Sequence, residues 1–157
     1  MKPGLINEST HQKVTDFIAE HWHGTDMLIC GEIIDMTKVD GFVIFNEVVI
    51  IGLITYLVKD RVVVTTSLDS LISIRCICTI LLNIIIKMSK QNDYKRIELI
   101  TTDDNINAIR FCQKLGFGLI GINCGAIGRE REKKPQIPII GENGIPSRHE
   151  IEFSIEI

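Results

Sequence analysis

The chain has 157 residues, 45% of them hydrophobic, which is enough for one domain with an apolar core. The formal net charge is -3, and Lys and Arg are scattered and form no stripe, which argues against a nucleic-acid partner. An odd number of cysteines, 5, and an N-terminus without the apolar run of a signal peptide favour a reducing cytoplasm. We expect residues 1–157 to form a single domain.

The first half of the sequence predicts one helix followed by strands. Asn7 or Ser9 can cap a helix whose apolar positions, ending at Trp22, share one face. Trp22 is interpreted as a core residue, and its neighbours His21 and His23 are given no catalytic role. The segments that follow are rich in Val, Ile, Thr and Phe, which predicts antiparallel strands joined by hairpins. These segments are residues 27–36, 41–45, 48–58 and 61–68.

The longest apolar stretch, residues 71–88, predicts a buried helix and no membrane span. Arg75, Asn83 and Lys87 interrupt it, whereas a span needs about 20 mainly apolar residues. The helix is expected from about residue 76 to 90, ahead of another strand. A strand, a helix and a strand in this order predict a parallel pair, because such a crossover normally joins two parallel strands.

The spacing of Cys76 and Cys78 raises one alternative, a zinc site completed by Cys112, Cys124 and histidines. Structural zinc motifs usually space their paired cysteines two to four residues apart and need a second ordered pair. We therefore interpret these cysteines as small buried hydrophobic residues and predict no metal site.

Residues 101–117 carry the most informative pattern in the chain. Turn and capping residues, Thr102 to Asn105, come directly after the apolar run 97–100, so a strand is expected to stop here and a helix to start. Gly116 can take the left-handed conformation that ends a helix, and residues 117–122 are again strand-like. The apolar positions at helical spacing between these signals are Ala108, Phe111, Cys112 and Leu115.

After Cys124 the composition changes to glycine, proline and charged residues. This predicts a long loop that feeds a last strand, residues 150–157. Loops of this length without regular structure are uncommon unless they are functional or mobile. The last strand is expected to be an exposed edge strand, which makes a homodimer a further expectation.

Residues 105–117 resemble the signature of the GNAT superfamily of acetyl-CoA-dependent N-acetyltransferases, Asn-x-x-Ala-x-x-aromatic-Tyr-x-Lys-x-Gly-Phe. The resemblance extends over nearly the whole chain. It implies an α/β (α+β) fold with a mixed, mostly antiparallel central sheet, a splayed parallel strand pair and flanking helices. Cys112 stands where the family usually has a tyrosine that protonates the departing coenzyme A thiolate. The matching residues are Asn105, Ala108, Phe111, Cys112, Lys114, Gly116 and Phe117.

The resemblance also implies acetyl-CoA as the co-substrate, with its phosphates held by a loop before an apolar helix. The family's loop resembles Val-x-Pro-x-x-Arg-Gly-x-Gly-x-Gly/Ala, and here Ile74, Cys76 and Cys78 occupy the glycine positions. Side chains there can obstruct phosphate, and they disfavour a positive φ angle by roughly 1–2 kcal/mol per residue. The implied cofactor contacts are Leu68, Ser73, Ile74, Arg75, Cys76, Ile77, Cys78 and Thr79, followed by Asn105, Ala108 and Phe111.

Asp69 and Cys112 are the catalytic candidates that the resemblance implies. In the family's direct transfer, an amine loses a proton and attacks the thioester, and a backbone N–H, here near Leu68, stabilises the oxyanion. Asp69 is a candidate base at the mouth of the cleft, or alternatively a turn carboxylate. Cys112 is a candidate weak acid or an inert packing residue. An acetyl-cysteine mechanism would need an activating group, which no sequence pattern identifies.

The resemblance thus implies an acyltransferase that acts on a small-molecule or peptide amine, with no nucleic-acid or membrane partner. The acceptor site is expected between the first helix and the loop before the last strand. The alternative is a non-catalytic or vestigial GNAT-fold binding or regulatory protein with weakened coenzyme binding, because Ile74, Cys76, Cys78 and Cys112 depart from the family pattern. The acids expected to favour a cationic amine are Glu20, Asp104, Glu130 and Glu132.

Overall fold

A computed structural model describes residues 2–71, 76–141 and 143–157. The described residues form a mixed α/β structure of nine strands and four helices. They are β1 (Gly4–Leu5), α1 (Glu8–His21), β2 (Asp26–Ile29), β3 (Glu32–Asp35), β4 (Asp40–Asn46), β5 (Val49–Lys59), β6 (Val62–Ser70), α2 (Cys76–Gln91), β7 (Arg96–Thr102), α3 (Ile106–Lys114), β8 (Gly118–Asn123), α4 (Ala126–Lys133) and β9 (Glu150–Glu156).

One sheet of seven strands organises the fold, in the order β1-β4-β5-β6-β7-β9-β8. Its paired strands are antiparallel except for β6 and β7, which run parallel through the crossover helix α2. The predicted fold class and the predicted parallel pair are therefore confirmed. The larger core cluster joins one face of the sheet to α2 and α3, and the smaller cluster joins the sheet to α1.

A β-bulge on β6 lies where β6 and β7 separate. Tyr56 pairs with Thr65 and Thr55 pairs with Ser67, so Thr66 is the extra residue. The β6–β7 ladder ends at Thr65 and Leu99, although β6 continues to Ser70 and β7 to Thr102. Since a bulge bends its strand and increases the local twist, it carries the end of β6 away from β7 and opens a gap between them.

Gly52 fixes the distance between the sheet and the start of α2. A Cβ atom at Gly52 would lie 2.5 Å from Cγ2 of Ile77 in the first turn of the helix. The fully buried Leu81 and Ile85 continue the same apolar face, as the helical spacing predicted. The N-terminus of α2 is thereby held close to the end of β6.

In the ranges that the structure describes, no helix is long and apolar enough to cross a membrane.

Residues 27–36 do not form the single strand that was predicted. They form most of a separate two-stranded sheet, β2 and β3. The chain turns at Cys30 and Gly31, where φ is 49° and 80°. Two consecutive positive φ angles are what a tight hairpin turn requires, and Gly31 adopts such an angle without steric strain.

The segment after Cys124 is not the continuous irregular loop that was predicted. It contains α4, which begins after Gly125 in a left-handed conformation, φ 74°. Arg, Glu and Lys are good helix formers, and here they outweigh the flanking glycines and prolines. The guanidinium of Arg131 donates to the carbonyl oxygens of Ile137, Pro138 and Ser147, so the rest of the segment is fastened to α4.

The last strand is not an edge strand. β9 lies between β7 and β8 and pairs with both, which fits the burial of Ile151 and Phe153. The alternating pattern of residues 150–157 showed a strand but not its position, because a central strand can present the same period. β8 is the edge strand at this end of the sheet, and its residues Leu119, Ile120 and Ile122 are exposed.

Candidate active site

The gap between β6 and β7 opens into a cavity of about 610 Å³. Its walls come from both sides of the sheet, because residues of α3 and of the C-terminal end of α1 both line it. The hairpin β2–β3, α4 and the segment before β9 close the remaining sides. The described lining residues are His21, Trp22, His23, Met27, Leu28, Ile29, Thr65, Thr66, Ser67, Leu68, Leu99, Ile100, Thr101, Thr102, Asp104, Asn105, Ala108, Phe111, Cys112, Ile127, Glu130, Lys134, Ile137, Pro138, Ile140, Gly141, Asn143, Ser147 and Glu150.

One end of this cavity is built by α3. Asn105 is the N-cap of the helix, and its Oδ1 accepts a hydrogen bond from the backbone N of Ala108 at 3.1 Å. Ala108, Phe111 and Cys112 line the cavity on the next turns, and so does Leu68 at the end of β6. The structure thus brings these five sequence-predicted site residues to one cavity. Gly116 has φ 90°, so it takes the left-handed conformation predicted for it after the helix.

Asn105→Ala is expected to lower the free energy of unfolding by about 1 kcal/mol, because the orphan N–H of Ala108 loses its acceptor. Urea denaturation of the free protein measures this difference. Asn107→Ala is the matched control, since Asn107 is exposed on the first turn of the same helix and is not its cap. Equal losses of stability in the two variants would contradict the assigned cap.

The predicted phosphate loop is only partly visible. Ser73, Ile74 and Arg75 lie outside the described residues, and Cys76, Ile77, Cys78 and Thr79 form the first turn of α2. These four are not among the described lining residues of the cavity. Ile77 is fully buried against the sheet, so its side chain is a core residue and not a surface for phosphate.

The conformational strain expected at Cys76 and Cys78 is absent. Both lie in α2, and neither is among the described residues that have a positive φ angle. That part of the sequence interpretation is therefore wrong, because a helical φ angle suits a cysteine. Obstruction remains the only penalty that their side chains can impose. The half-buried Cys78 has its pKa raised to about 11 by burial and by nearby Asp69.

Asp69 is held in a largely buried position on the α1 side of the sheet. It pairs with Leu53, and its Oδ2 accepts a hydrogen bond from the indole Nε1 of Trp22 at 3.1 Å. Leu53 belongs to the smaller core cluster, called the α1 cluster below, whose buried members are Val14, Phe17, Ile18, Met36, Val43, Ile50 and Leu53. Burial raises its pKa from 3.8 to about 6, while the bond from Trp22, the charge of His21 and a bond from Ser67 act in the opposite direction.

Asp69 does not itself line the cavity, although residues next to it do. Trp22, His21, Ser67 and Leu68 line the cavity, whereas Asp69 is not among the lining residues. Trp22 does pack with the α1 cluster, as predicted, but its contact with Asp69 was missed. The two residues are 47 positions apart, and no local pattern indicates such a pair.

Cys112 is 5% exposed, and burial raises the pKa of its thiol to about 11. The thiol is therefore protonated at neutral pH, whereas a nucleophilic cysteine needs a lowered pKa. This disfavours the acetyl-cysteine alternative. The side chain serves as a wall of the cavity and as part of the larger core cluster.

Part of the cavity wall is acidic. Asp104 and Glu130 line it, as predicted, while the exposed Glu20 and Glu132 are not among its lining residues. Glu150, which the sequence did not single out, also lines it and is only 3% exposed. Burial raises the pKa of Glu130 and of Glu150.

Comparison with known proteins agrees with this architecture. The family model of the acetyltransferase (GNAT) family matches residues 14–117. The uncharacterised protein YdhI of Bacillus subtilis is 42% identical over 149 residues, which cover 94% of this chain and 93% of that protein.

Two solved structures share the fold. A Bacillus subtilis acetyltransferase in complex with CoA superposes with a TM-score of 0.70 at 15% identity, covering 99% of this chain and 98% of that one. A GNAT family acetyltransferase from Elizabethkingia anophelis with acetyl-CoA bound has a TM-score of 0.66 at 21% identity and covers 78% of each chain.

Proposed function

The chain belongs to the acetyltransferase (GNAT) family, and on that premise we propose that it transfers an acetyl group directly from acetyl-CoA to a primary amine. The observation that carries the proposal is the gap between β6 and β7. It opens where the ladder stops at Thr65 and Leu99, and it leads into a cavity with walls on both sides of the sheet. A donor on one side and an acceptor on the other can therefore meet inside it.

Acetyl-CoA supplies a thioester whose carbonyl carbon accepts the amine. Leu68 would offer its backbone to the arm of the coenzyme, and Asn105, Ala108 and Phe111 would form the wall beside that arm. The N-terminus of α2 would bind the pyrophosphate through its free backbone N–H groups, because helix N-termini attract anions. Leu68 and the α3 residues line one cavity, which supports this assignment.

Asp69 is proposed as the base that takes the proton from the ammonium form of the acceptor. A pKa of about 6 leaves it ionised at neutral pH and still able to hold a proton, which suits a general base. Since Asp69 is not among the residues that line the cavity, the proton travels through a water molecule. The free amine then attacks the thioester carbonyl, and as the C–S bond breaks the nitrogen passes its second proton through water to the departing thiolate, which leaves the amide and the thiol of coenzyme A. In this mechanism Cys112 takes no part in proton transfer and serves only as part of the cavity wall and of the core.

A thermal-shift titration with acetyl-CoA, and with coenzyme A as a second titrant, tests the proposal. A saturable rise in Tm is expected, because a ligand that binds only the native state stabilises it by RT ln(1 + [L]/Kd), about 2.7 kcal/mol at a hundred times Kd. Turnover is then measured with a panel of amines. The absence of any shift at millimolar acetyl-CoA would contradict the proposal.

A second candidate is a non-catalytic binding protein that retains the fold. Cys76 and Cys78 favour it, because their side chains occupy the first turn of α2, where phosphate would approach. Replacing both by glycine separates the two candidates. If the side chains obstruct the site, coenzyme affinity rises. An unchanged affinity with measurable turnover leaves the transferase as the function.

Location and assembly remain proposals as well. All five cysteines are free, which supports a reducing compartment such as the cytoplasm. A homodimer formed by strand addition would use the exposed edge β8, since β9 already pairs on both sides.

A further inference from the structure

The acidic side of the cavity contains buried carboxylate oxygens without a hydrogen-bond donor. Glu150 is 3% exposed and Asp104 is 8% exposed. Oε2 of Glu150 and Oδ1 of Asp104 have no hydrogen-bond partner. Both residues line the cavity. A buried acceptor that lacks a donor costs about 1–3 kcal/mol, and more when it is charged, so such groups in a cavity call for a donor that enters the cavity, either water or a ligand.

The residues around Glu150 supply neither a donor to its Oε2 nor a positive charge that is free to pair with it. The backbone N–H of Cys30 donates to its carboxylate, and nearby Glu130 and Glu152 add negative charge. The favourable charge is that of Arg129, but the guanidinium of Arg129 already donates to the carbonyl oxygen of Cys124 and to Oδ1 of Asn123.

The charge balance of the cavity wall points the same way. Among the described lining residues, Asp104, Glu130 and Glu150 are acidic, and Lys134 is the only Lys or Arg. The ammonium of Lys134 donates to the carbonyl oxygen of Asp26, and its charge also acts on Glu130, so one positive charge faces three acidic side chains. The wall therefore has an excess of negative charge that a cation can neutralise.

We propose that the acceptor is a small molecule with a second cationic group, an ammonium or guanidinium, which binds between Glu150 and Glu130 while the reacting amine lies near Leu68. The inference rests on the proposed transferase function and names its substrate class. β9 is separated from β6 by β7, and β6 bends away from β7 before Leu68, so Leu68 and Glu150 are at least two strand spacings, roughly 10 Å, apart. A volume of about 610 Å³ is within the usual range for small-molecule sites.

Calorimetric titration with hexamethylenediamine and with hexylamine tests the proposal. The two probes have the same carbon chain and differ in the second ammonium. Each is titrated into the protein saturated with coenzyme A and into the free protein. The diamine is expected to bind at least about tenfold more tightly, because it adds a charged hydrogen bond to buried carboxylates.

Glu150→Gln is expected to remove most of that preference, and Glu156→Gln is the matched control. Both residues lie on β9, but Glu156 is exposed and is not among the lining residues. The amide oxygen of Gln can still accept a hydrogen bond from the backbone N–H of Cys30, so the contact between β9 and the β2–β3 hairpin is retained. In turnover, Glu150→Gln raises KM for the diamine about tenfold with little change in kcat, whereas KM for hexylamine is unchanged. Should Glu150→Gln fail to fold, Glu130→Gln gives the same comparison on α4.

Two outcomes overturn the inference. One is equal affinity of the wild-type protein for diamine and monoamine, and the other is an equal loss of preference in Glu150→Gln and Glu156→Gln. Either result alongside an intact acetyl-CoA thermal shift leaves the transferase proposal standing. A missing acetyl-CoA shift overturns that proposal instead. In that case, a preference for the diamine that is lost in Glu150→Gln would still identify Glu150 as part of a site for a cationic group.

Discussion

Asp69→Asn is expected to lower kcat/KM about a hundredfold to ten-thousandfold, the usual contribution of a general base. Asn keeps an oxygen that can accept the bond from Nε1 of Trp22, so the geometry is retained while the ability to take a proton is lost. Steady-state kinetics with the best amine of the panel measures the loss. Asp60→Asn is the matched control, because Asp60 is exposed in the turn between β5 and β6, and Asn tolerates its φ of 49°.

The pH profile of the wild-type enzyme follows from the same residue. With a pKa of about 6, Asp69 is protonated and inactive at low pH, so kcat/KM should rise through pH 6 and level off above it. The Asn variant is expected to lose this limb of the profile. A limb at pH 6 that survives in Asp69→Asn would assign the titration to another group and contradict Asp69 as the base.

Asp69→Asn is also expected to stabilise the protein at neutral pH, because it removes a buried charge whose pKa is raised. Burial raises the pKa of Asp69 from 3.8 to about 6, so ionisation disfavours the folded state. This penalty is absent below pH 3.8, grows between pH 4 and 6, and is fully present above pH 6. It amounts to about 3 kcal/mol at most, and urea denaturation at pH 7.5 and pH 4 measures it. Higher stability with lower activity is the expected combination.

The order of helices and strands was largely predictable, because it depends on local signals. The cap at Asn105, the left-handed Gly116 and the apolar spacing of α2 each act within a few residues, and the structure has them where the sequence indicated. The parallel pair followed from the crossover. Local pattern also suggested that Ala108 and Phe111 share a face, and both line the cavity.

The sequence missed what depends on contacts between distant segments. The place of β9 in the sheet is decided by pairing with β7 and β8, which leaves no trace in its own alternation. The bond between Trp22 and Asp69 joins the end of α1 to the end of β6. Glu150 became a site residue only because the hairpin β2–β3 and α4 close over it. In the sequence it was simply the first residue of a strand.

Thr55→Val is expected to lower the free energy of unfolding by about 1–3 kcal/mol, although Val has nearly the shape of Thr. The hydroxyl of Thr55 is fully buried and lies 2.7 Å from Oγ1 of Thr66 and 2.7 Å from Oγ of Ser67. Removing it leaves the buried hydroxyl of Thr66 without this partner, at about 1–3 kcal/mol, whereas Ser67 keeps its bond to Asp69. Urea denaturation of the free protein measures the loss.

Thr65→Val provides the matched control one residue before the bulge. Thr65 is 5% exposed, and its Oγ1 has no hydrogen-bond partner, so removing this hydroxyl should leave stability unchanged or raise it. The same substitution at two buried threonines of neighbouring strands therefore has opposite expected effects. A greater loss in Thr65→Val than in Thr55→Val would contradict the hydroxyl network.

The hydroxyl network bears on function because Thr66 is the bulged residue at which β6 leaves β7. Thr55 binds the hydroxyls on both sides of the peptide bond between Thr66 and Ser67, so it holds the bend that opens the gap. Loss of its hydroxyl should weaken acetyl-CoA binding as well as the fold, whereas Thr65→Val spares the bend. If Thr55→Val lost stability but kept the full acetyl-CoA affinity, the gap would be held by the backbone of the bulge alone.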